Sequence, residues 1–214
     1  MQINRCAAMS EAESGHIAQL RARHPASARE TVASPGAVGR FVLLSGSSSR
    51  FLESRMAKIN IDFVSDVACP WCAVGLGGLL EAMRRTEGIA QVDLHFRPFE
   101  LNPDMPAGGQ NTIERLMAKY GYDREQVQAN RKVISERAAA VGMPMRMEDD
   151  NRSFNTFDAH RLIHWAGLQG QAQQTAMKQS LLRTYHFLNE DTGDAQVLAR
   201  AAREAGLDEA AARE

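Results

Sequence analysis

"SDVACPWCAVG", residues 65–75, lies where one periodicity gives way to another. Upstream, "KINIDFVSD" alternates Ile59, Ile61 and Phe63 with Lys58, Asn60 and Asp62 and then adds Val64, which reads as a strand with one apolar face. Downstream, from Pro70 to about Thr86, Trp71, Val74, Leu79, Leu80 and Met83 fall at near-helical spacing. Arg84 and Arg85 close that helix, where cations suit its dipole. Gly77 and Gly78 weaken it, but they allow close approach to a sheet. "QVDLHFRPFEL" then alternates through Val92, Leu94 and Phe96, and Pro98 ends it as a second strand. Strand, helix, strand makes a βαβ unit, expected to be parallel and right-handed.

Helical patterns follow the turn-rich "NPDMPAGG". Asn111 with Glu114 forms a capping-box pattern for a helix stopping at Gly121. Asp123 with Gln126 opens another, which carries Val127, Val133, Ile134, Ala138 and Val141 and closes at Gly142. Asn155 caps a third, expected to turn Phe157, Leu162 and Trp165 inward. A fourth, over about residues 171–188, aligns Met177, Leu181, Leu182, Tyr185 and Leu188 on one stripe. A fifth runs from about Ala195 to Ala205 and ends at Gly206; Asp208 looks like the N-cap of a sixth. Two parallel strands alone make a poor sheet, so the pattern reads as part of a larger one.

Composition divides the chain at Met56. Residues 1–55 hold seven arginines, no lysine, four acids and nine serines, whereas the rest carries 18 basic against 22 acidic residues. The first segment shows no sustained period, and its best apolar run, Phe41–Leu44, is too short for the core of a secretory signal. It is expected to be a disordered or over-extended N-terminal segment, with Met56 as the natural first residue. The whole chain has a net charge of -1 and no basic stripe, which argues against a nucleic-acid surface. No apolar run approaches the roughly 18 residues of a membrane span. With no export signal, the expected location is the cytoplasm.

Cys-x-x-Cys at 69 and 72 has three readings: half a zinc site, a redox dithiol or chance. Zinc would need two more ligands, and the available set is His160 and His164 at i,i+4 on one predicted helix. The remaining cysteine is Cys6, in the unpatterned segment. The redox reading follows from placement. Cys69 falls at the start of a helix with Pro70 at its first position, where unpaired amides and the dipole favour a thiolate. The offset of three residues brings the second sulfur within bonding range of the first. On this reading Cys69 is the exposed attacking thiolate and Cys72 the more buried resolving thiol, with no metal or organic cofactor required.

"IDFVSDVACPWC", "FRPFELNPDMP", "NTFDAHRLIHWA" and "DAQVLARAAREAGL" together resemble the DsbA-like branch of the thioredoxin superfamily. They are most similar to the FrnE-type oxidoreductases, relatives of 2-hydroxychromene-2-carboxylate isomerases and kappa-class glutathione transferases. The resemblance runs from about Lys58 to the C-terminus. It implies an α/β thioredoxin fold interrupted by an all-helical insertion, with the N-terminal βαβ half over residues 56–104 and the helical domain over 105–214. It also implies Cys69 and Cys72 as the redox pair, Pro70 and Trp71 as residues beside the substrate, and disulfide- or thiol-containing proteins or small molecules as partners, glutathione among them.

The isomerase and transferase relatives usually carry serine where this chain has Cys69, so two intact cysteines favour dithiol exchange over glutathione-dependent isomerisation. The family completes its sheet with a hairpin preceded by a proline facing the dithiol. The prolines here are at 25, 35, 70, 98, 103, 106 and 144, none of them after the helices. The chain is therefore expected to be a truncated product, with an inactive binding module as a further alternative.

Other residues carry weaker signals. Asp66 either caps the turn or approaches the sulfur, and the cap is favoured. Trp71 is either a packing residue or an apolar platform for a partner. Met143, Met145 and Met147 read as an extended stretch packing one face rather than a copper site. His95 reads as structural, and Asn155, His160 and Arg161 fall in the strip resembling the family's groove-lining helix.

Overall fold

The computed structural model describes residues 56–214; the expectations for residues 1–55, Cys6 included, lie outside them. Strand β1 (Ala57–Ser65) and strand β2 (Ala90–Pro98) pair in parallel, from Ala57 opposite Ala90 to Ser65 opposite Pro98, around helix α1 (Pro70–Arg85). The βαβ unit is therefore as expected. Apolar alternation places Leu94 and Phe96 of β2 in the core, and Phe96 meets its register partner Phe63 edge to face at 5.8 Å. Strand β1 is less covered: Ile61 and Phe63 are half-buried and Ile59 is exposed.

The helices follow in the order read from the sequence. Helix α2 (Thr112–Tyr120) is capped by the Asn111 side chain, which accepts from the Ile113 and Glu114 amides, and it stops at Gly121 in the left-handed region. A two-residue bridge, β3 (Gln110–Asn111) with β4 (Arg152–Ser153), ties its start to the loop before the next helix pair. Helix α3 (Arg124–Ala140) opens with the full capping box of Asp123 and Gln126. At its end the Met143 and Gly142 amides donate back to the Ala138 and Ala139 carbonyls around a left-handed Gly142, a Schellman closure. Helices α4 (Phe157–Gln169), α5 (Gln171–Arg183) and α6 (Ala195–Glu204) complete the core with Ala159, Ile163, Met177, Leu181, Leu198 and Ala202.

Four details differ from expectation. Phe157 is 57% exposed rather than inward, because the chain enters α4 through Asn155, whose side chain accepts from the Phe157 amide and turns that first residue out. The predicted helix over 171–188 changes at Thr184 into a π-helical turn, Thr184–Leu188, where Leu188 is only half-buried. Asp208 does accept from the Ala210 and Ala211 amides, but what it starts is a 3₁₀ turn, Ala211–Arg213. Gly77 permits a close approach not to the sheet but to Val141 and Met143 at the end of α3, while Gly78 faces open space.

Helix α5 also seals an edge. Gln174 accepts from the Phe96 amide at 3.3 Å, and Gln171 donates to the Val92 carbonyl at 3.2 Å, so side-chain amides occupy ladder groups of β2 that no strand among the described residues takes. No helix among the described residues is long and apolar enough to cross a membrane.

Candidate active site

Cys69 is the N-cap of α1, extended at φ -89° and ψ 111°, and Pro70 begins the helix, where the amide it lacks would have had no partner. The Cys72 and Ala73 amides donate to the Cys69 carbonyl at 3.1 and 3.3 Å, closing the first turn around the Cys-x-x-Cys loop. Both cysteines are free thiols and both are half-buried, so exposure does not divide attacking from resolving sulfur as the sequence reading supposed. Trp71 between them is 53% exposed, and Pro70 is half-buried.

Hydrogen bonding from the Cys69 thiol is the main cause lowering Cys72 to about 6; burial and the Asp66 charge oppose it, and the Lys178 ammonium assists. The Cys69 thiol, as the donor, is raised, although the Trp71 and Cys72 amides at the helix start favour its charged form. One proton can sit on either sulfur, so the low first ionisation belongs to the pair. Neither amide makes a full side-chain cap with Cys69, so the helix start contributes its positive end rather than a tight hydrogen bond.

Three buried groups support the pair from behind. Asp66 is 1% exposed. Its carboxylate accepts from the Ala68 amide at 3.0 Å, the Leu101 amide at 2.6 Å and the Thr156 hydroxyl at 2.8 Å, and lies 3.3 Å from His160 Nε2. Burial pushes Asp66 up, but His160 and the other donors outweigh it and hold the group below the ordinary carboxylate value. The cap reading of Asp66 fits its hydrogen bonds, with a wider reach than a local turn, since one carboxylate joins the end of β1, the loop after β2 and helix α4; its charge also raises Cys72, so the second reading holds beside the first.

His186, from the π-helical turn, donates Nε2–H to the Val67 carbonyl at 2.8 Å. Burial lowers it to about 4, so it is neutral at physiological pH. Lys178 of α5 is 1% exposed, and burial lowers it to about 8 against the raising influence of Cys72, Asp66 and Cys69. Sequence reasoning did not find Lys178, His186 or Thr156. Each lies more than 80 residues from the dithiol in the chain, and a polar residue on a helix reads as solvated unless its face is known.

Other sequence candidates lie elsewhere. His160 turns its Nε2 to Asp66, and His164 is exposed. His95 pairs with Asp93 at 3.1 Å on the surface. Met145 is buried, with Met143 and Met147 packed against the core on either side. His160 and Arg161 line a cleft of about 670 Å³ with Phe99, Phe157, Trp165 and Leu198; neither cysteine, nor Pro70 or Trp71, borders it.

The helix-start dithiol thus lies at the carboxyl end of a parallel strand pair, with helices α2 to α6 following it. The model of the DsbA-like thioredoxin domain matches residues 60–214. The chain belongs to that family. A probable DsbA oxidoreductase from Streptomyces coelicolor is 34% identical in sequence and superposes with a TM-score of 0.62 over 72% of this chain and 65% of its own. The chain thus spans slightly less than two thirds of that relative's length. A candidate protein disulfide isomerase from Nitrosomonas europaea is 18% identical, with a TM-score of 0.48 over 71% of this chain and 66% of its own. No curated protein matches the chain.

Proposed function

We propose that this DsbA-like domain carries out thiol–disulfide exchange with Cys69 as nucleophile and Cys72 as resolving thiol. The observation that carries the proposal is the pair of free thiols at the start of α1, Cys69 as its N-cap and Cys72 one turn in, and it is supported by an environment that lowers Cys72 to about 6. The Cys69 sulfur gives up its proton and attacks one sulfur of a substrate disulfide. A bond forms between Cys69 and that sulfur, the substrate S–S bond breaks, and the other substrate sulfur leaves as a thiolate that takes a proton. The Cys72 thiol then loses its proton and attacks Cys69, forming the Cys69–Cys72 disulfide and releasing the second substrate thiolate. The substrate gains two electrons and the dithiol loses them; the reverse sequence oxidises a substrate dithiol.

Geometry favours Cys69 as the attacking sulfur. It caps the helix, beside exposed Trp71, which offers an apolar surface to the approaching chain, whereas Cys72 sits one turn inside. Substrates would be disulfide- or thiol-containing proteins or small molecules. In a reducing cytoplasm the pair would rest as the dithiol and act as a reductase or isomerase.

Single serine variants test the assignment. Cys72→Ser should accumulate a mixed disulfide with a model disulfide substrate, resolved by mass spectrometry to the peptide bearing Cys69. Cys69→Ser should neither accumulate one nor reduce insulin. Equal trapping by both variants, or full turnover by Cys69→Ser, would exclude these roles.

A further inference from the structure

Along α5, Gln171, Gln174 and Lys178 project from nearly one side, because steps of three and four residues return to the same face of a helix. The first two mark where that face lies. Gln171 reaches the Val92 carbonyl and Gln174 the Phe96 amide, so the helix ascends β2 towards the carboxyl end of the strands. One further turn, a rise of about 6 Å, carries Lys178 towards the end of β2, where Pro98 pairs with Ser65, the residue before Asp66. A fully buried ammonium is costly, and packing alone would be better served by Leu or Met. We propose that Lys178 is a positioning residue that holds a positive charge beneath the Cys69–Cys72 pair and stabilises its thiolate. The proposal rests on the exchange reading above and adds that the charge is supplied by the helical region, not by the βαβ unit that carries the sulfurs.

The groups facing Lys178 are consistent with this role. Cys69 and Cys72 from α1 and Asp66 from the loop after β1 all act on its charge, and His186 from the adjoining π-helical turn feels it. His186 is neutral and held by the Val67 carbonyl, so it supplies no competing cation. Asp66 is engaged by Ala68, Leu101, Thr156 and His160. When the pair is reduced, Asp66 and one thiolate are two negative charges against one ammonium. When it is oxidised, only Asp66 remains. The environment of Lys178 therefore changes with the redox state of the pair.

The test reads the thiolate directly, by its absorbance near 240 nm against pH in the full chain. Lys178→Met and Lys178→Gln should each raise the first ionisation of the pair by about one unit or more, with about a tenfold slower reaction with iodoacetamide at pH 7. Both single variants folded, with the ionisation moved by less than about 0.3 unit, would overturn the proposal.

If neither variant folds, the unmodified chain decides. The side-chain NMR titration of Lys178 should move to lower pH on oxidation of the dithiol, and an unchanged titration would overturn the proposal. A parent pair with an ordinary thiol ionisation that forms no disulfide would defeat the exchange reading itself. A low parental ionisation that ignores Lys178 defeats only this inference.

Discussion

Asp66, His186 and Lys178 hold three different charge states within one buried region, and each state has a separate cause. Asp66 stays ionised because four donors converge on it. His186 stays neutral because burial outweighs its single acceptor. Lys178 stays charged at pH 7 because the sulfurs and Asp66 partly offset its burial. The pH dependence of stability follows from the first two. An unfolded imidazole titrates near 6.5 and His186 in the fold at about 4, so between those values the unfolded chain binds more protons. Stability should fall by roughly 3 kcal/mol as pH drops from 6.5 to 4. Asp66, with its folded value depressed, contributes stability that is present above its unfolded value of 3.8 and lost as pH falls through the lower folded value, so the decline continues below 3.8. Urea midpoints at pH 7, 5.5 and 4.5 check the first part, and a flat profile over that interval would contradict the burial of a neutral His186.

At the scale of elements, α1 joins the chemistry to the fold. Cys69 and Pro70 announce their places in the sequence because N-cap and first-turn chemistry is local. The same locality made Asn111, Asp123 and Gly121 legible. Gly77 was legible only as a weak point in a helix, since its neighbour, Val141, comes from another helix. The two adjacent glycines now make opposite predictions. A Cβ on Gly77 would meet Val141 Cγ2 and its carbonyl oxygen at 2.7 Å, so Gly77→Ala should cost about 1–3 kcal/mol. Gly78 is exposed with nothing within 4 Å of a new Cβ, so Gly78→Ala should gain up to about 1 kcal/mol through helix propensity. Paired denaturation curves decide it, and a destabilised Gly78→Ala would show a contact on that face. The π-helical turn and the outward Phe157 were not legible, because each depends on what the neighbouring loop does rather than on apolar period.

For the molecule as a whole, the helices do more than cover a sheet. Helix α5 occupies ladder groups of β2 with two glutamines, brings Met177 and Leu181 into the core and delivers Lys178 to the dithiol. The order βαβ then helices was plain in the sequence, as was the Cys-x-x-Cys at the junction. What stood behind the sulfurs was not, because it is assembled from residues 66, 156, 160, 178 and 186, brought together only by tertiary packing. The Pro-Trp pair between the cysteines puts no imidazolium beside the sulfurs, so the reduction potential is expected well below the roughly -120 mV of DsbA. The most direct test of the central claim is equilibration of the full chain in glutathione redox buffers, with the Cys69–Cys72 peptide pair quantified by mass spectrometry. The account predicts one two-electron transition to an intramolecular Cys69–Cys72 disulfide, at a potential below that figure. The absence of that disulfide at every buffer ratio would contradict it.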